Sequence, residues 1–202
     1  MPSWDQRAGR FISRRLARTP ITPNHVSLAS LLLAVAGAAL FATGEASDAR
    51  WGAFLFVLGR MADHVDGELA RLTGQATRFG YYLDYTVGTV SYTALFLCLG
   101  LGFRQGALGE WSLVLGGGAA FAAFVTTFLL IGVDREHGGD AMGYASFAGF
   151  ELQDGIYLLL PITWLGWLMP FFAAAAIGTA CYFLWAIWSF FQARRGNWRS
   201  SD

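Results

Sequence analysis

Lysine is absent from this sequence of 202 residues, and charged residues of every kind are scarce. They make up 14% of the chain, whereas a soluble domain carries about 25%. All 14 cations are arginines, and 14 acidic residues balance them to a formal net charge of zero. This composition excludes a disordered chain and a basic nucleic-acid binder, and the absence of lysine is typical of a GC-rich prokaryotic genome.

Cysteine is also scarce, while hydrophobic residues are abundant. The only two cysteines, Cys98 and Cys181, both lie in apolar runs, which excludes a disulfide framework and a cysteine metal cluster. Hydrophobic residues make up 55% of the chain, and its mean hydropathy is +0.44. These values favour a polytopic membrane protein.

Six apolar stretches are long enough to cross a bilayer, which takes about 20 residues in a helix. They cover about residues 24–43, 51–71, 79–103, 111–133, 144–165 and 170–191. The sequence Thr22-Pro23-Asn24 opens the first stretch, and a tight turn near Gly166 separates the last two. The fold class predicted is therefore all-α, a bundle of six transmembrane helices. Three consecutive glycines, 116–118, predict close helix contacts in the fourth.

The arginines predict the orientation of this bundle. Eleven of them lie in segments on the same side as the N-terminus, only Arg50 and Arg104 lie in loops on the other side, and Arg60 lies within a span. Cytoplasmic loops are enriched in arginine, so both termini are predicted to be cytoplasmic.

The first 20 residues form a separate segment. Trp4, Phe11, Ile12 and Leu16 share one helical stripe, which arginines flank. This pattern predicts an amphipathic helix in the membrane interface; the alternative is a disordered basic tail that only enforces topology. The predicted organisation is an interfacial helix at 1–20, a transmembrane domain at 21–193 and a cytoplasmic tail at 194–202.

Carboxylates inside membrane spans are costly and are therefore candidates for function. In the second span, Asp63, Asp66, Gly67 and Ala70 share one stripe at about 100° per residue, and Glu68 points elsewhere. In the third span, three residues share a stripe at spacings of four: Gly80, Asp84 and Gly88. The short connection between the spans predicts antiparallel neighbouring helices with both stripes in the cytoplasmic half.

Three facing carboxylates in a low dielectric would repel one another, and a bound divalent cation would relieve this repulsion. Ligands that are all oxygen suit Mg²⁺, Mn²⁺ or Ca²⁺, and Mg²⁺ usually keeps substrate phosphates in its shell. Arg71, at the cytoplasmic end of the second span, is placed to meet such a phosphate. Two alternatives remain: small residues that only pack helices together, and an ion pathway.

These residues carry a resemblance to a known family. Residues 63–71 read DHVDGELAR, and eight residues further on Gly80 is followed after three residues by Asp84. This segment resembles the signature of the CDP-alcohol phosphotransferases, DxxDGxxAR, eight residues, then GxxxDxxxD. It matches every fixed position except the last.

The resemblance implies a membrane enzyme of phospholipid biosynthesis. Such an enzyme moves a substituted phosphoryl group, most often a phosphatidyl group from CDP-diacylglycerol, to an acceptor alcohol and releases CMP. It implies that Asp63, Asp66 and Asp84 bind Mg²⁺ or Mn²⁺. It also implies that cytidine lies against Gly67, Ala70 and Gly80, that Arg71 binds the diphosphate, and that the protein is a homodimer, as is common in the family.

Gly88 stands where the family has its fourth aspartate, the expected general base, which also contacts metal. Three interpretations follow: another group supplies the base, the protein binds a nucleotide without turnover, or the register of the third helix differs. Glu151 and Asp154, one turn apart on the predicted fifth span, are candidates for a substitute base; alternatively, they lie in headgroup water or pair with Arg78 or Arg135.

Two other functions remain as alternatives to the transferase. The first is a catalytically impaired CDP-binding membrane protein that lacks the base. The second, a divalent-cation transporter, is the weaker one, because the first, fourth and sixth spans contain almost no polar residues to continue a pathway.

Overall fold

Helices form nearly all of the chain that the structure describes. This computed structural model describes residues 4–137, 146–147 and 150–194, with side chains over 10–129, 131–132 and 155–192. The helices are α1 (Trp4–Leu16), α2 (Pro23–Phe41), α3 (Ala46–Thr73), α4 (Arg78–Gly102), α5 (Trp111–His137), α6 (Leu159–Trp164) and α7 (Leu168–Arg194). Two short antiparallel strands, β1 (Ser146–Phe147) and β2 (Phe150–Glu151), and a 3₁₀ helix (Leu152–Leu158) precede α6.

The predicted all-α class is confirmed, but the count of six spanning helices is not. Within the described residues, four segments are long and apolar enough to cross a membrane: α2, α4, Trp111–Leu129 of α5 and Leu168–Gln192 of α7. Helix α3 is also long enough, at 28 residues, or about 42 Å. It falls outside that set because of its charged residues, which include Asp63, Asp66 and Arg71 of the predicted site.

The predicted fifth span, 144–165, is wrong as a continuous helix. The chain there passes through the hairpin, the 3₁₀ helix and the six residues of α6. Pro161 offers a physical reason, because it lacks the N–H that a continuous helix needs and fits best in a first turn, where α6 places it. The turn predicted near Gly166 is present, with Gly166 at φ +77°.

Local signals fix the ends of the helices that surround the predicted site. The Thr22 hydroxyl accepts a hydrogen bond from the His25 amide at 3.4 Å, and Nδ1 of His25 accepts one from the Thr22 amide at 3.3 Å. This capping box, with Pro23 in the first turn, starts α2. Gly74, at φ +67°, ends α3 in the left-handed conformation. Thr77 caps α4 by accepting from the Gly80 amide at 3.0 Å.

Helix α2 lies against both α3 and α4, and small residues allow this close approach. A Cβ added to Gly37 would lie 2.6 Å from the backbone nitrogen of Phe56, and one added to Gly59 would lie 2.8 Å from the carbonyl oxygen of Ser30. The sequence predicts α3 and α4 as neighbours, but they pack against α2 rather than directly against each other. They meet only through long side chains, such as the rings of Phe56 and Tyr92 at 6.2 Å.

Helix α4 crosses α5 at a second set of small residues. The hydroxyl of Ser112 donates to the carbonyl of Gly100 at 2.7 Å, and a Cβ on Gly116 would lie 2.9 Å from Cα of Gly100. Only the first of the three consecutive glycines makes this contact. Added Cβ atoms on Gly117 and Gly118 would meet no described atom within 4 Å.

Helix α1 lies along the C-terminal part of α3. The buried hydroxyl of Ser13 donates to the carbonyl oxygen of Val65 at 3.0 Å. On its outer side, Phe11 and Ile12 are exposed. The predicted N-terminal helix is therefore present over Trp4–Leu16, while its place in the membrane interface stays a prediction.

Candidate functional site

The short connection between α3 and α4 brings two stripes of carboxylates to the same depth. Asp66 lies seven residues before the end of α3, and Asp84 lies six residues after the start of α4. At about 1.5 Å per residue, both lie about 10 Å from the connection. By the same arithmetic Asp63 and Gly88 lie at about 15 Å, so helical geometry places all four positions across from one another.

Three carboxylates converge there. Oxygen atoms of Asp63, Asp66 and Asp84 all lie within 4.8 Å of one another. Asp63 and Asp66 are 9% and 4% exposed, while Asp84 is exposed to the space between the helices. The structure thus brings together the three residues that the sequence predicts as metal ligands.

The donor set fits a hard divalent cation. Oδ1 of Asp63 and Oδ2 of Asp66 are buried and have no hydrogen-bond partner among the described residues. A buried carboxylate oxygen without a partner is costly, and coordination to a cation removes that cost. Ligands that are all carboxylate favour Mg²⁺, Mn²⁺ or Ca²⁺ over Zn²⁺.

A buried arginine borders the cluster on its deep side. Nη1 of Arg60 lies 2.9 Å from Oδ2 of Asp63, and Cζ lies 5.2 Å from the centre of the Tyr92 ring. Arg60 is only 7% exposed. The sequence singles it out as a charge within a span but gives it no partner.

A cavity of about 940 Å³ opens between α3 and α4, with the carboxylates at its polar end. The signature residues Gly67, Ala70, Arg71, Gly80 and Gly88 all line it. Away from the carboxylates, its wall is mostly apolar, with the hydroxyl groups of Thr126, Thr127 and Thr179 among its polar atoms. Its apolar residues include Leu95, Phe96, Leu99, Ile156, Phe171 and Ala175. The cavity therefore joins a charged end to an apolar end, as an amphiphilic ligand requires.

The positions expected to admit a flat group are open or bordered by polar atoms. A Cβ on Gly67 would meet only the guanidinium of Arg71, at 3.9 Å. One on Gly80 would lie 3.3 Å from the Thr77 hydroxyl and 3.6 Å from Oδ1 of Asn24. Neither glycine touches a facing helix backbone, so neither serves close helix contact. Of the two interpretations, this favours a ligand surface over a packing surface.

Glu68 points away from the cluster, as its helical position predicts, and connects two arginines. Its Oε2 accepts from Nη2 of Arg71 at 3.1 Å and from Nε at 3.3 Å. Its Oε1 lies 3.3 Å from Nε of Arg10 on α1. The signature arginine is therefore linked through Glu68 to the N-terminal helix, a connection that spacing alone does not indicate.

Gly88 faces open space. A Cβ added there would meet no atom within 4 Å among those that the structure describes. The position lines the cavity together with Asp84 and Tyr92, four residues away on either side. The register of α4 therefore places position 88 on the same face as Asp84.

The candidates for a substitute base are not brought to the site by a spanning helix. Glu151 lies in β2 and Asp154 in the 3₁₀ helix, so they are not one α-helical turn apart. Their side chains lie outside those that the structure describes. Their role as a base stays a prediction.

Helix α2 contributes residues that sequence reasoning missed. Asn24 and Ser27 line the cavity beside Asp66 and Gly80. The sequence reading uses Asn24 only as part of the start of a span. The signal available was the spacing of three residues between two polar side chains near the start of a mostly apolar helix.

A protein-family model matches nearly the whole helix bundle. The family model described as CDP-alcohol phosphatidyltransferase matches residues 20–192. This range runs from the residues just before α2 almost to the end of α7, and it includes every carboxylate of the cluster.

Curated relatives match over shorter segments. The phosphatidylinositol phosphate synthase of Mycolicibacterium smegmatis is 38% identical over 88 residues, which is 43% of this chain and 38% of that protein. The archaetidylinositol phosphate synthase of Pyrococcus horikoshii is 30% identical over 91 residues, 45% of this chain and 47% of that protein. The matches thus span less than half of each of these relatives.

Solved structures match over most of the chain. The phosphatidylinositol phosphate synthase of Mycobacterium tuberculosis with CDP-DAG bound superposes with a TM-score of 0.63 at 24% identity, covering 91% of this chain and 94% of that chain. Its complex with manganese and citrate gives a TM-score of 0.62 at 23% identity, covering 90% and 89%. At this level of identity, the likeness shows a shared fold.

Proposed function

Because the chain belongs to the CDP-alcohol phosphatidyltransferase family, we propose that it is an integral membrane transferase of phospholipid biosynthesis. It moves a substituted phosphoryl group from a CDP-linked donor to an acceptor alcohol and releases CMP. We expect the transferred group to be phosphatidyl. The observation that carries the proposal is the meeting of Asp63, Asp66 and Asp84 within 4.8 Å at the polar end of a cavity that continues into an apolar wall.

Each signature residue has a role in this proposal. Asp63, Asp66 and Asp84 hold Mg²⁺ or Mn²⁺, which when bound supplies positive charge against the donor diphosphate. Arg71 binds the diphosphate from the cytoplasmic side. Gly67, Ala70 and Gly80 leave room for the cytidine. The support for these roles is the open space at the glycines and the unpartnered oxygens of Asp63 and Asp66.

CDP-diacylglycerol is the donor that we expect. A diphosphate at the carboxylates would leave the acyl chains to extend along Leu95, Leu99 and Phe171 on the apolar wall. The related M. tuberculosis enzyme has been solved with CDP-DAG bound. The relatives are named for inositol-phosphate products, so inositol phosphate belongs in the acceptor pool of any assay, beside unphosphorylated alcohols.

The test is CMP release by the purified protein in detergent, with CDP-diacylglycerol, Mn²⁺ or Mg²⁺ and that acceptor pool. We expect release by the wild type and only background release by Asp66→Asn, because the substitution removes a ligand charge. Asp48→Asn, on the first turn of α3 at the opposite end of the helix, is the matched control and should behave as the wild type. Equal rates in wild type and Asp66→Asn would contradict the proposal.

A second candidate function rests on Gly88. General-base catalysis contributes roughly 10²–10⁴-fold, so a chain without the fourth aspartate could bind the donor and turn it over poorly, as a catalytically impaired CDP-binding membrane protein. Tight binding of CDP-diacylglycerol without CMP release, for any acceptor, would favour this function over the transferase.

Glu151 and Asp154 remain our candidates for the substitute base. Glu151 ends the second strand of the hairpin and Asp154 lies in the 3₁₀ helix, whose later residues Gly155 and Ile156 line the cavity. The variants Glu151→Gln and Asp154→Asn should each be assayed for CMP release. Turnover that survives both substitutions would eliminate the idea.

We further infer that the protein lies in a bacterial inner membrane with both termini in the cytoplasm. Residues 1–20 form the interfacial helix, 21–193 the transmembrane domain and 194–202 a cytoplasmic tail. The arginine distribution and the exposed Phe11 and Ile12 of α1 support this arrangement. The resemblance also leads us to expect a homodimer, which light scattering would report as twice the chain mass of 22.0 kDa.

A further inference from the structure

The position of Arg60 carries a free-energy cost, because its charged side chain is buried within α3. A charged side chain within a membrane-spanning helix costs several kcal/mol unless it is paired, and arginine does not lose its proton in proteins. Arg60 is 7% exposed and is held by Asp63 at 2.9 Å and by the Tyr92 ring at 5.2 Å. A fixed positive charge therefore lies against the acidic cluster.

Helical geometry places this charge about one turn deeper than the position where the signature aspartate is missing. Arg60 and Tyr92 both lie about 20 Å along their helices from the α3–α4 connection, and Gly88 at about 15 Å. Gly88 is one turn from Tyr92, which contacts Arg60, and one turn from Asp84, which belongs to the cluster. The guanidinium thus contacts α4 at Tyr92, one turn beyond the position that Gly88 leaves without a side chain.

The number of free carboxylate oxygens near Arg60 limits how many cations the site can bind. Oδ2 of Asp63 is engaged by Arg60, which leaves Oδ1 as its free oxygen. Asp63 therefore has one oxygen for a cation and cannot bridge two cations with a separate oxygen on each. Cations such as Mg²⁺ and Mn²⁺ take six oxygen ligands in near-octahedral geometry, so a second cation would have few protein oxygens left.

Charge balance leads to the same result. Three carboxylates and one guanidinium leave a net charge of −2 in the cluster. One divalent cation neutralises this charge. Before the donor diphosphate adds its own negative charge, a second would leave a net positive charge in a partly buried site, which is costly in a low dielectric.

We propose that Arg60 takes the place of a second metal ion, so that the site binds a single divalent cation per chain. In this proposal Arg60 is a positioning residue: it holds Asp63 and supplies fixed positive charge at the deep end of the cluster, about one helical turn from Gly88. The inference rests on the proposed function, since it assumes that the three aspartates hold a metal.

Mn²⁺ binding to the purified protein in detergent tests the proposal. Electron paramagnetic resonance measures free Mn²⁺ during a titration, and the Asp66→Asn variant sets the baseline for sites elsewhere. We expect the wild type to bind one Mn²⁺ per chain above this baseline. The double variant Arg60→Gln/Gly88→Asp, which removes the cation and adds a ligand, should bind two.

Two controls isolate the charge of Arg60. Combining Arg60→Lys with Gly88→Asp keeps a positive charge and should return the stoichiometry to one. Arg50→Gln, on the same helix but near its opposite end, should bind one Mn²⁺ like the wild type. Size-exclusion chromatography of each variant verifies that it is folded. If the variants at Arg60 fail to fold, the number of Mn²⁺ ions bound per wild-type chain still tests the proposal.

The outcomes separate the inference from the function on which it rests. Two Mn²⁺ per wild-type chain, or one in the Arg60→Gln/Gly88→Asp variant, would overturn the role of Arg60 while leaving a metal-dependent transferase intact. No Mn²⁺ above the baseline in the wild type, together with metal-independent CMP release, would overturn the metal site itself.

Discussion

Gly88 occupies the position of the family's fourth signature aspartate, and the surrounding structure leaves room for a side chain there. Its neighbours on the same face of α4, Asp84 and Tyr92, are in place, and the position lines the cavity. Any side chain there would extend into open space rather than into a facing helix. A substitution at this residue therefore tests chemistry without disturbing the fold.

We predict that Gly88→Asp raises the rate of CMP release, because it restores a carboxylate at the position of the family's expected base. The increase should be within roughly 10²–10⁴-fold, the usual contribution of a general base, and is measured by CMP release at saturating donor. Gly88→Asn is the matched control, since it has the same size but cannot accept the proton, and it should remain at the wild-type rate. If both variants were equally fast, the gain would not come from a base.

Helix α1 reaches the site through Glu68, which acts at the scale of the element. Glu68 holds the signature arginine Arg71 from one oxygen and faces Arg10 of α1 from the other. Ser13 fixes the same two helices at Val65, one residue before Asp66. The orientation of Arg71 therefore depends on how α1 lies on α3.

We predict that Glu68→Gln raises the KM for the CDP-linked donor by about fivefold or less, with kcat little changed. Exposed ion pairs are worth about 0–1 kcal/mol, and Arg71 is itself exposed, so releasing it costs donor binding only modestly. Steady-state kinetics with varied donor measures the effect. Glu110→Gln removes the ion pair with Arg104 at the other end of the bundle and should leave KM unchanged; an equal rise in both variants would exclude a specific role for Glu68.

The crossing of α2 and α3 fixes how far apart α3 and α4 lie. Gly37 faces the backbone of α3 at Phe56 and Gly52, within 2.7 Å of an added Cβ. Backbone atoms cannot move aside as a flexible side chain can, so a methyl group there must separate the helices.

We predict that Gly37→Ala destabilises the protein by about 1–3 kcal/mol, the usual cost of overpacking. Each kcal/mol lowers the thermal midpoint by roughly 2–4 °C in a chain of this size, which a thermal melt in detergent resolves. Gly117→Ala on α5 is the control, because its added methyl group meets no atom within 4 Å in the described structure. A melt of Gly37→Ala that matched this control would contradict the close crossing.

At the scale of the whole molecule, the two ends of the bundle differ in charge. One end carries several arginines. Of these, Arg10, Arg14 and Arg15 lie on α1, Arg18 follows α1, and Arg71 and Arg78 lie next to the α3–α4 connection. Arg50 lies at the opposite end, with its guanidinium 5.7 Å from the Trp164 ring, and Arg104 follows α4 there. Arginine on the inner side of a membrane protein sets its orientation.

We predict that a cysteine at Gln105 is labelled by a membrane-impermeant maleimide in intact cells, whereas a cysteine at Gln75 is labelled only after permeabilisation. Both glutamines are exposed and lie in connections at opposite ends of the bundle. The background carries Cys98→Ser and Cys181→Ser to remove the native thiols. Labelling of Gln75→Cys in intact cells would reverse the proposed orientation.

The sequence by itself determined the helical class and the acidic cluster. The spacing of three residues from Asp63 to Asp66 fixes a shared helix face, and the short connection to Asp84 fixes a shared depth, so both follow from local geometry alone. The cost of carboxylates among apolar residues marked these positions as functional, and the signature around them identified the family. Glu68 was correctly turned away from the cluster by the same periodicity.

Only the tertiary structure decided what surrounds that cluster. The cavity exists because α3 and α4 both pack on α2 rather than on each other, and the partners of Arg60 and Glu68 lie on α4 and α1. The prediction of a fifth span was wrong because it relied on the overall apolar character of residues 144–165. That character does not register Pro161 or the hairpin before it. Such features depend on contacts between residues far apart in the chain, which the periodicity of a single segment does not encode.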